Sequence, residues 1–269
     1  DNAKFNMFYL DNILNIKNFK ANLDKSFFKG NLKYSLKNKK VSGDLNFNNL
    51  YIAKDYFGLS KIDLFDGLVS CSILYKANLT STNFVKILKS FNSEGKCNSG
   101  KIKISGIDLK EIAKSVDKVN DISSLINLIN NRNFGKESQF RKINSSFNTK
   151  NGDLNILSIK AIHDNLILNS NGKYDLIKDN LYINSKAFFK TTKYKNLPAL
   201  GIKVTGPSKD FKVAYNFEDL KQKMFNEGVK QILKEKKTII VDPDAIKKFL
   251  NGNIEKELNV KKLFDLFDN

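Results

Sequence analysis

The chain has 269 residues, 41% of them hydrophobic and 28% charged, with a formal net charge of +18. That length and apolar content allow a sizeable core in one large domain or two small ones and argue against disorder. The charge is a weaker pointer to nucleic acid than its size suggests: the excess is lysine, with only Arg132 and Arg141 as arginines, the lysines alternate with apolar residues as on a solvated sheet face, and no nucleic-acid motif is present.

With 21 Phe, 9 Tyr, no Trp and 3 Pro, the composition suits sheet-rich structure, because aromatic side chains pack well on a pleated surface. From Lys4 to Leu10, Phe5, Met7 and Tyr9 fall on one face. Phe19, Ala21 and Leu23 repeat the pattern, as do Leu32, Tyr34 and Leu36, then Leu45 and Phe47. The stretches Lys29-Gly30-Asn31, Asn38-Lys39-Lys40 and Ser42-Gly43-Asp44 read as the intervening turns of an antiparallel meander. Leu50 to Phe57 fits either a strand or a short helix.

Gly67 to Leu79 reads as a longer strand. From Thr82 to Phe91 the period changes: Thr82 or Asn83 is a candidate cap, Phe84, Ile87, Leu88 and Phe91 share one helical face, and Gly95 is the expected stop. Lys96 to Ser105 is a strand again. Asp108-Leu-Lys-Glu111 forms a capping box ahead of a helix whose stripe is Leu109, Ile112, Ala113 and Val116, and Ile122 to Ile129 fits a second short helix. Asn130 to Ser138 is polar and loop-like.

Phe140 to Thr149 restarts the sheet, and Asn151-Gly152 is a strong hairpin turn. Strands follow at Asp153–Ala161, Leu166–Ser170, Lys173–Leu176 and Asn180–Phe188, with turns at His163-Asp164-Asn165, Asn171-Gly172 and Lys178-Asp179. Leu197 to Gly206 is the last predicted strand, Pro198 suiting its start. Beyond residue 216 the alternation gives way to amphipathic helical spacing: Phe217, Leu220, Met224 and Phe225, then Val229, Ile232 and Leu233. Asp242-Pro243 caps a further helix over Ala245–Leu250, and Ile254 to Phe267 gives a final segment. The division is therefore a sheet domain over 1–216 and a helical tail over 217–269.

Cys71 and Cys97 are the only cysteines. Their spacing fits neither a zinc site nor a redox pair; a disulfide between them suits an oxidising compartment, and spacing does not decide it. No stretch is apolar over the roughly 18 residues a spanning helix needs, and no export signal is recognisable. The chain starts at Asp1 already in strand-like sequence, which suggests the C-terminal part of something longer.

Asn98-Ser-Gly100 followed by Ile104-Ser-Gly-Ile-Asp108-Leu resembles a signature of the AsmA-like C-terminal domain. The ladder from Phe147 to Tyr174 is similar to that family's, with Asn151-Gly152 and Asn171-Gly172-Lys-Tyr-Asp175-Leu at its glycine positions. Leu197-Pro198 through Thr205-Gly206-Pro207, then Phe211, resembles its closing segment, although the piece after Gly206 is shorter than the family's. The best match covers 67–216. The resemblance implies a non-enzymatic envelope protein in the periplasm, tethered to the inner membrane by an N-terminal helix outside this sequence. It implies a curved antiparallel sheet, a β-groove like that of the bridge-like lipid transfer proteins, lined with apolar side chains and linked to phospholipid transport or outer-membrane maintenance.

The residues are compatible with this. His163, the only histidine, sits in a predicted turn, no Cys, His or Glu cluster has metal-ligand spacing, Asp242 and Asp244 flank a capping proline, and no phosphate-cradling glycine motif exists. No catalytic residue, metal or cofactor is expected. Alternation alone does not separate a closed sandwich from an open trough, since either buries one face of each strand; the sequence by itself favours the closed sandwich, and the resemblance reverses that in favour of the trough. On that reading Leu154, Ile156, Leu166, Leu168, Tyr174, Leu181 and Ile183 line the groove and meet phospholipid acyl chains. The lysine-rich tail either packs on the sheet end or lies on an anionic membrane surface. A closed-core scaffold acting on other envelope proteins, in outer-membrane protein assembly, is the alternative, and nucleic acid is not an expected partner.

Overall fold

The computed structural model describes residues 2–23, 26–52, 64–65, 67–105, 113–114, 137–190, 197–216, 218–220 and 222–223. In chain order the strands are β1 (Ala3–Leu10), β2 (Ile13–Leu23), β3 (Ser26–Ser35), β4 (Lys40–Ile52), β5 (Leu64–Phe65), β6 (Gly67–Asn78), β7 (Asn92–Ser99) and β8 (Ile102–Ser105). They continue as β9 (Glu137–Phe140), β10 (Lys142–Lys150), β11 (Asp153–Ile162), β12 (Leu166–Asp175), β13 (Asn180–Phe189), β14 (Leu200–Gly206) and β15 (Lys212–Asn216), with one short helix, α1 (Phe84–Ser90), between β6 and β7.

Twelve of the strands form one antiparallel sheet in the order β1-β2-β3-β4-β6-β7-β10-β11-β12-β13-β14-β15, and it does not close on itself. Every pairing follows sequence order, with β5, β8 and β9 diverted into a separate three-stranded sheet. Directly opposite residues of an antiparallel pair share a face, so the registers can be followed across the whole sheet as rows. One row runs Phe28–Phe47–Cys71–Cys97–Ser145–Ile159–Ser170–Ser185–Ile202–Tyr215. The next runs Phe19–Gly30–Leu45–Ile73–Gly95–Phe147–Ile156–Gly172–Ile183–Val204–Val213. The residues between them, such as Lys29, Ser72, Lys96 and Lys186, form the opposite face, which is rich in lysine and asparagine and mostly exposed, with Leu74, Tyr182 and Phe188 as exposed apolar side chains among them. The alternation in the sequence thus becomes one apolar and one polar face across twelve strands.

Three bulges keep that sorting intact. The spacing on the apolar face lengthens from two residues to three at Ile16/Phe19, Phe47/Leu50 and Ile156/Ile159, and the register shifts at each place. Asn18 and Asn49 carry the first two at φ 55°, a left-handed conformation that asparagine tolerates. Their displaced N–H groups donate to polar-face side chains, Asn18 to Asn31 Oδ1 at 3.0 Å and Asn49 to Ser70 Oγ at 3.1 Å. The ambiguous stretch at Leu50 is therefore the continuation of β4, up to Ile52.

Several glycines expected to mark turns lie inside strands instead. Gly30 is within β3, Gly43 within β4, Gly95 within β7 and Gly172 within β12, which is one strand rather than two. All four lie on the apolar face beside larger cross-strand neighbours. A Cβ at Gly95 would fall 2.5 Å from the Phe147 ring, and one at Gly43 would fall 2.8 Å from the Tyr75 hydroxyl. Gly43 and Gly95 make room for a neighbour's ring rather than turning the chain, whereas a Cβ at Gly30 or Gly172 would meet the backbone of the adjoining strand. The real turns include Asp11-Asn12, both at positive φ, and the expected Asn151-Gly152 at φ 57° and 84°. Helix α1 follows the sequence reading in its cap, with Asn83 Oδ1 accepting from the Lys86 N–H at 3.2 Å, but ends at Phe91 without Gly95. Strand β15 extends the sheet past the expected last strand. Only Ala113 and Lys114 of the expected 108–129 helices are described, and both are helical; Ile122 to Ile129 and 224–269 lie outside the described residues.

The packed core lies at one border of the apolar face. Ile102 of β8 and Phe140 of β9, directly paired, are each 1% exposed and sit with Ala161, Leu166, Ala187, Leu200, Ile202 and Leu220. His163 is buried there too, its ring edge-on to Phe140 at 6.0 Å and its Nδ1 accepting from the Asn165 N–H. The turn expected around His163 is present, and the histidine helps to seal the border. Cys71 and Cys97 form a disulfide across β6 and β7, with their Cα atoms 4.1 Å apart in the same row.

Candidate functional site

Away from that border, large apolar side chains remain partly accessible. Phe5, Met7 and Tyr9 of β1 are 52%, 62% and 59% exposed, although they lie on the same face as the core. Leu14, Ile16, Leu32, Leu45, Phe47 and Ile73 are half-buried. A monomer seldom leaves so extended an apolar surface open without a partner for it.

Two depressions lie on this face. The larger, about 390 Å³, is walled by Phe47, Leu50, Ile52, Val69, Cys71, Ile73, Cys97, Ile102 and Ile143, with Asn98, Ser99 and Ser145 as its polar contributors. The smaller, about 170 Å³, lies beside it between Phe147, Leu154, Ile156 and Ile159. The disulfide therefore contributes to the floor of the larger depression. Ser145 belongs to both, so the two are adjacent along one line of the sheet.

Of the residues expected to line a groove, all seven lie on this face. Leu154, Tyr174 and Leu181 are directly opposite one another in one row, and Ile156 and Ile183 flank Gly172 in the next. Leu154 and Ile156 wall the smaller depression. Leu166 differs: it is fully buried in the packed cluster, with Leu168 against that cluster, so Leu166 supports the covered border and does not face open surface. Sequence reasoning did not single out the walls of the larger depression, because Leu50 and Val69 meet only across the β4 bulge and Ile102 comes from the second sheet.

The polar atoms on the face are few and mostly paired. Ser93 Oγ donates to Thr149 Oγ1 at 2.8 Å, and Ser185 Oγ to Ser170 Oγ at 2.7 Å. The Tyr174 hydroxyl donates to Asp179 Oδ1 at 2.8 Å; burial, then that bond, pushes its titration above the usual phenol range. Asp179 is held below the usual carboxylate range, first by the Ser208 hydroxyl, then by Tyr174 and the Ser208 N–H. Burial, then the charge of Asp44, raises Tyr75 in the same way. These are structural hydrogen bonds around turns and rims. Among the described residues no group of three or more His, Cys, Asp or Glu is placed to hold a metal ion, and no described helix is long and apolar enough to cross a membrane.

Compared with family models, curated proteins and solved structures, the chain matches none. What the site can do therefore follows from its own geometry: a partly accessible, largely apolar surface with no metal-ligating cluster among the described residues.

Proposed function

We propose that this chain is a non-enzymatic module whose apolar sheet face shelters the acyl chains of phospholipids, in lipid transport or outer-membrane maintenance. The observation that carries the reading is the twelve-stranded sheet that does not close on itself and has one largely apolar face. In a sandwich, a second sheet would cover that face about 10 Å away. Among the described residues the cluster with β8, β9 and Leu220 lies along one border and reaches Ile202 and Val213 of the central rows only at β14 and β15; Phe211 and Ala113 are buried as well. Each methylene buried on such a surface contributes roughly 0.8 kcal/mol, so one tail binds well without a polar site.

Curvature into a groove is part of the proposal. Bulges bend and twist a strand, and three occur along the sheet. Interior glycines permit tight bends, and Gly30, Gly43, Gly95 and Gly172 all lie on the apolar side. The AsmA-like motifs around Gly100, Asn151-Gly152 and Leu197-Pro198 point to the same architecture. A location in an oxidising compartment such as the periplasm, with a tether outside this sequence, suits the Cys71–Cys97 disulfide.

The test is to purify the chain without detergent, extract it with organic solvent and identify what is released by mass spectrometry. The expected result is phospholipid in near-stoichiometric amount. Lipid-free protein that also takes up none from vesicles overturns the proposal and leaves the scaffold reading, in which the face docks other envelope proteins.

A further inference from the structure

The aromatic residues of the apolar face are sorted by row. Phe19, Phe28, Phe47 and Phe147 occupy the two central rows, and Phe189 lies at the covered border opposite Leu166. Tyrosines lie toward the other border: Tyr75 and Tyr174 in the row after Ile73 and Ile156, and Tyr9 and Tyr34 in or beside the row of Leu14 and Val41. Of the described tyrosines on this face only Tyr215 lies elsewhere, packed against the core cluster. Ser93 and Thr149 fall in the same row as Tyr75. One long border is thus sealed by aliphatic packing and the other is edged with hydroxyls. A tyrosine ring is apolar with a polar tip, which suits a boundary between tails and water.

The tyrosine border also carries the turns after β1, β3, β10 and β12, the first of them linked in series: the Leu36 N–H donates to Asn12 O at 2.9 Å, and the Leu79 N–H to Lys39 O at 2.7 Å. Of its acids, Asp11 in the first turn is exposed and makes no ion pair with a described residue, and three others are engaged. Asp153 is paired with Lys173 at 2.7 Å, Asp175 accepts from the Ile177 and Lys178 N–H groups, and Asp179 holds Tyr174 and Ser208. Lys37 and Lys39, in the turn that follows β3, make no ion pair with a described residue, and Lys40 lies on the polar face opposite Ser35.

We propose that a phospholipid lies on the face with its anionic head at the tyrosine border, against Lys37 and Lys39 of the turn at 36–39, and its tails running toward the sealed border. This rests on the reading of the face as an acyl-chain site and adds the orientation and the head chemistry. An uncharged partner would leave the lysines unused, and a nucleic acid would have no use for the apolar rows beneath them.

The test uses the delipidated full chain and two probes with the same tail, palmitoyl lysophosphatidylglycerol and monopalmitoylglycerol, titrated below their micelle concentrations. The charged probe is expected to bind about tenfold more tightly at low salt. Lys37→Gln/Lys39→Gln should abolish that preference and leave the uncharged probe unchanged, while Lys101→Gln/Lys142→Gln/Lys190→Gln, at the other border, should keep it. No preference in the original chain, a preference that survives the first variant, or equal loss in the second overturns the orientation. Failure of both probes to bind overturns the acyl-chain reading itself.

Discussion

An aspartate at Ile73 or Ile156 is expected to empty the protein of lipid while leaving it folded. Both side chains are half-buried, each walls one of the two depressions, and both lie in the central row. With no bound lipid their surroundings are open enough for a carboxylate to stay hydrated, so the folding cost is that of a partly exposed substitution, about 1 kcal/mol. With a tail in place the same carboxylate would have to lose its water, a cost of several kcal/mol. Lipid recovered with Ile73→Asp or Ile156→Asp should therefore fall at least about tenfold. Leu166→Ala provides the contrast: the fully buried side chain belongs to the packed border, so its truncation should cost about 2–5 kcal/mol of stability and leave lipid content largely intact. If the aspartate variants keep their lipid, the tails lie elsewhere; if they unfold as readily as Leu166→Ala, the face is core.

The second large effect concerns the disulfide. Cys71 and Cys97 close a loop with a sequence separation of 26, for which the chain-entropy argument gives about 3–4 kcal/mol. For a chain of this size that corresponds to a Tm change of roughly 10 °C. Reductant should lower the Tm of the original chain by about that amount and leave Cys71→Ala/Cys97→Ala unmoved. The β6–β7 pairing continues to Lys76 and Asn92 on one side of the bridge and to Val69 and Ser99 on the other, so the variant should keep its strand content. A Tm insensitive to reductant would mean that the two thiols are not joined in solution, and the argument for an oxidising compartment would go with it.

The antiparallel meander was legible in the sequence because alternation survives even where the sheet is irregular. Asn151-Gly152 and the Asn83 cap were legible for a local reason: both act within three residues of chain. The glycines were not. Gly43 and Gly95 are explained by Tyr75 and Phe147, which come from other strands, and no local pattern separates such a glycine from a turn. The Asp11-Asn12 turn went unread for the converse reason, since it bends the chain without a glycine. Bulges hid Leu50, because a three-residue step between apolar positions imitates a helix. Within the candidate site, the rows holding Leu154, Ile156 and Ile183 followed from alternation, whereas the burial of Leu166 depends on Ile102 and Phe140 arriving from a second sheet.

The absence of tryptophan from the sequence makes the central claim directly measurable. Phe47→Trp places one indole on the wall of the larger depression. In delipidated protein its emission should be that of a partly hydrated indole, and addition of phosphatidylglycerol brominated along its tails should quench it, while a head-brominated analogue quenches weakly. Blue-shifted emission that no brominated lipid alters would mean that protein already covers the face, and would contradict the account.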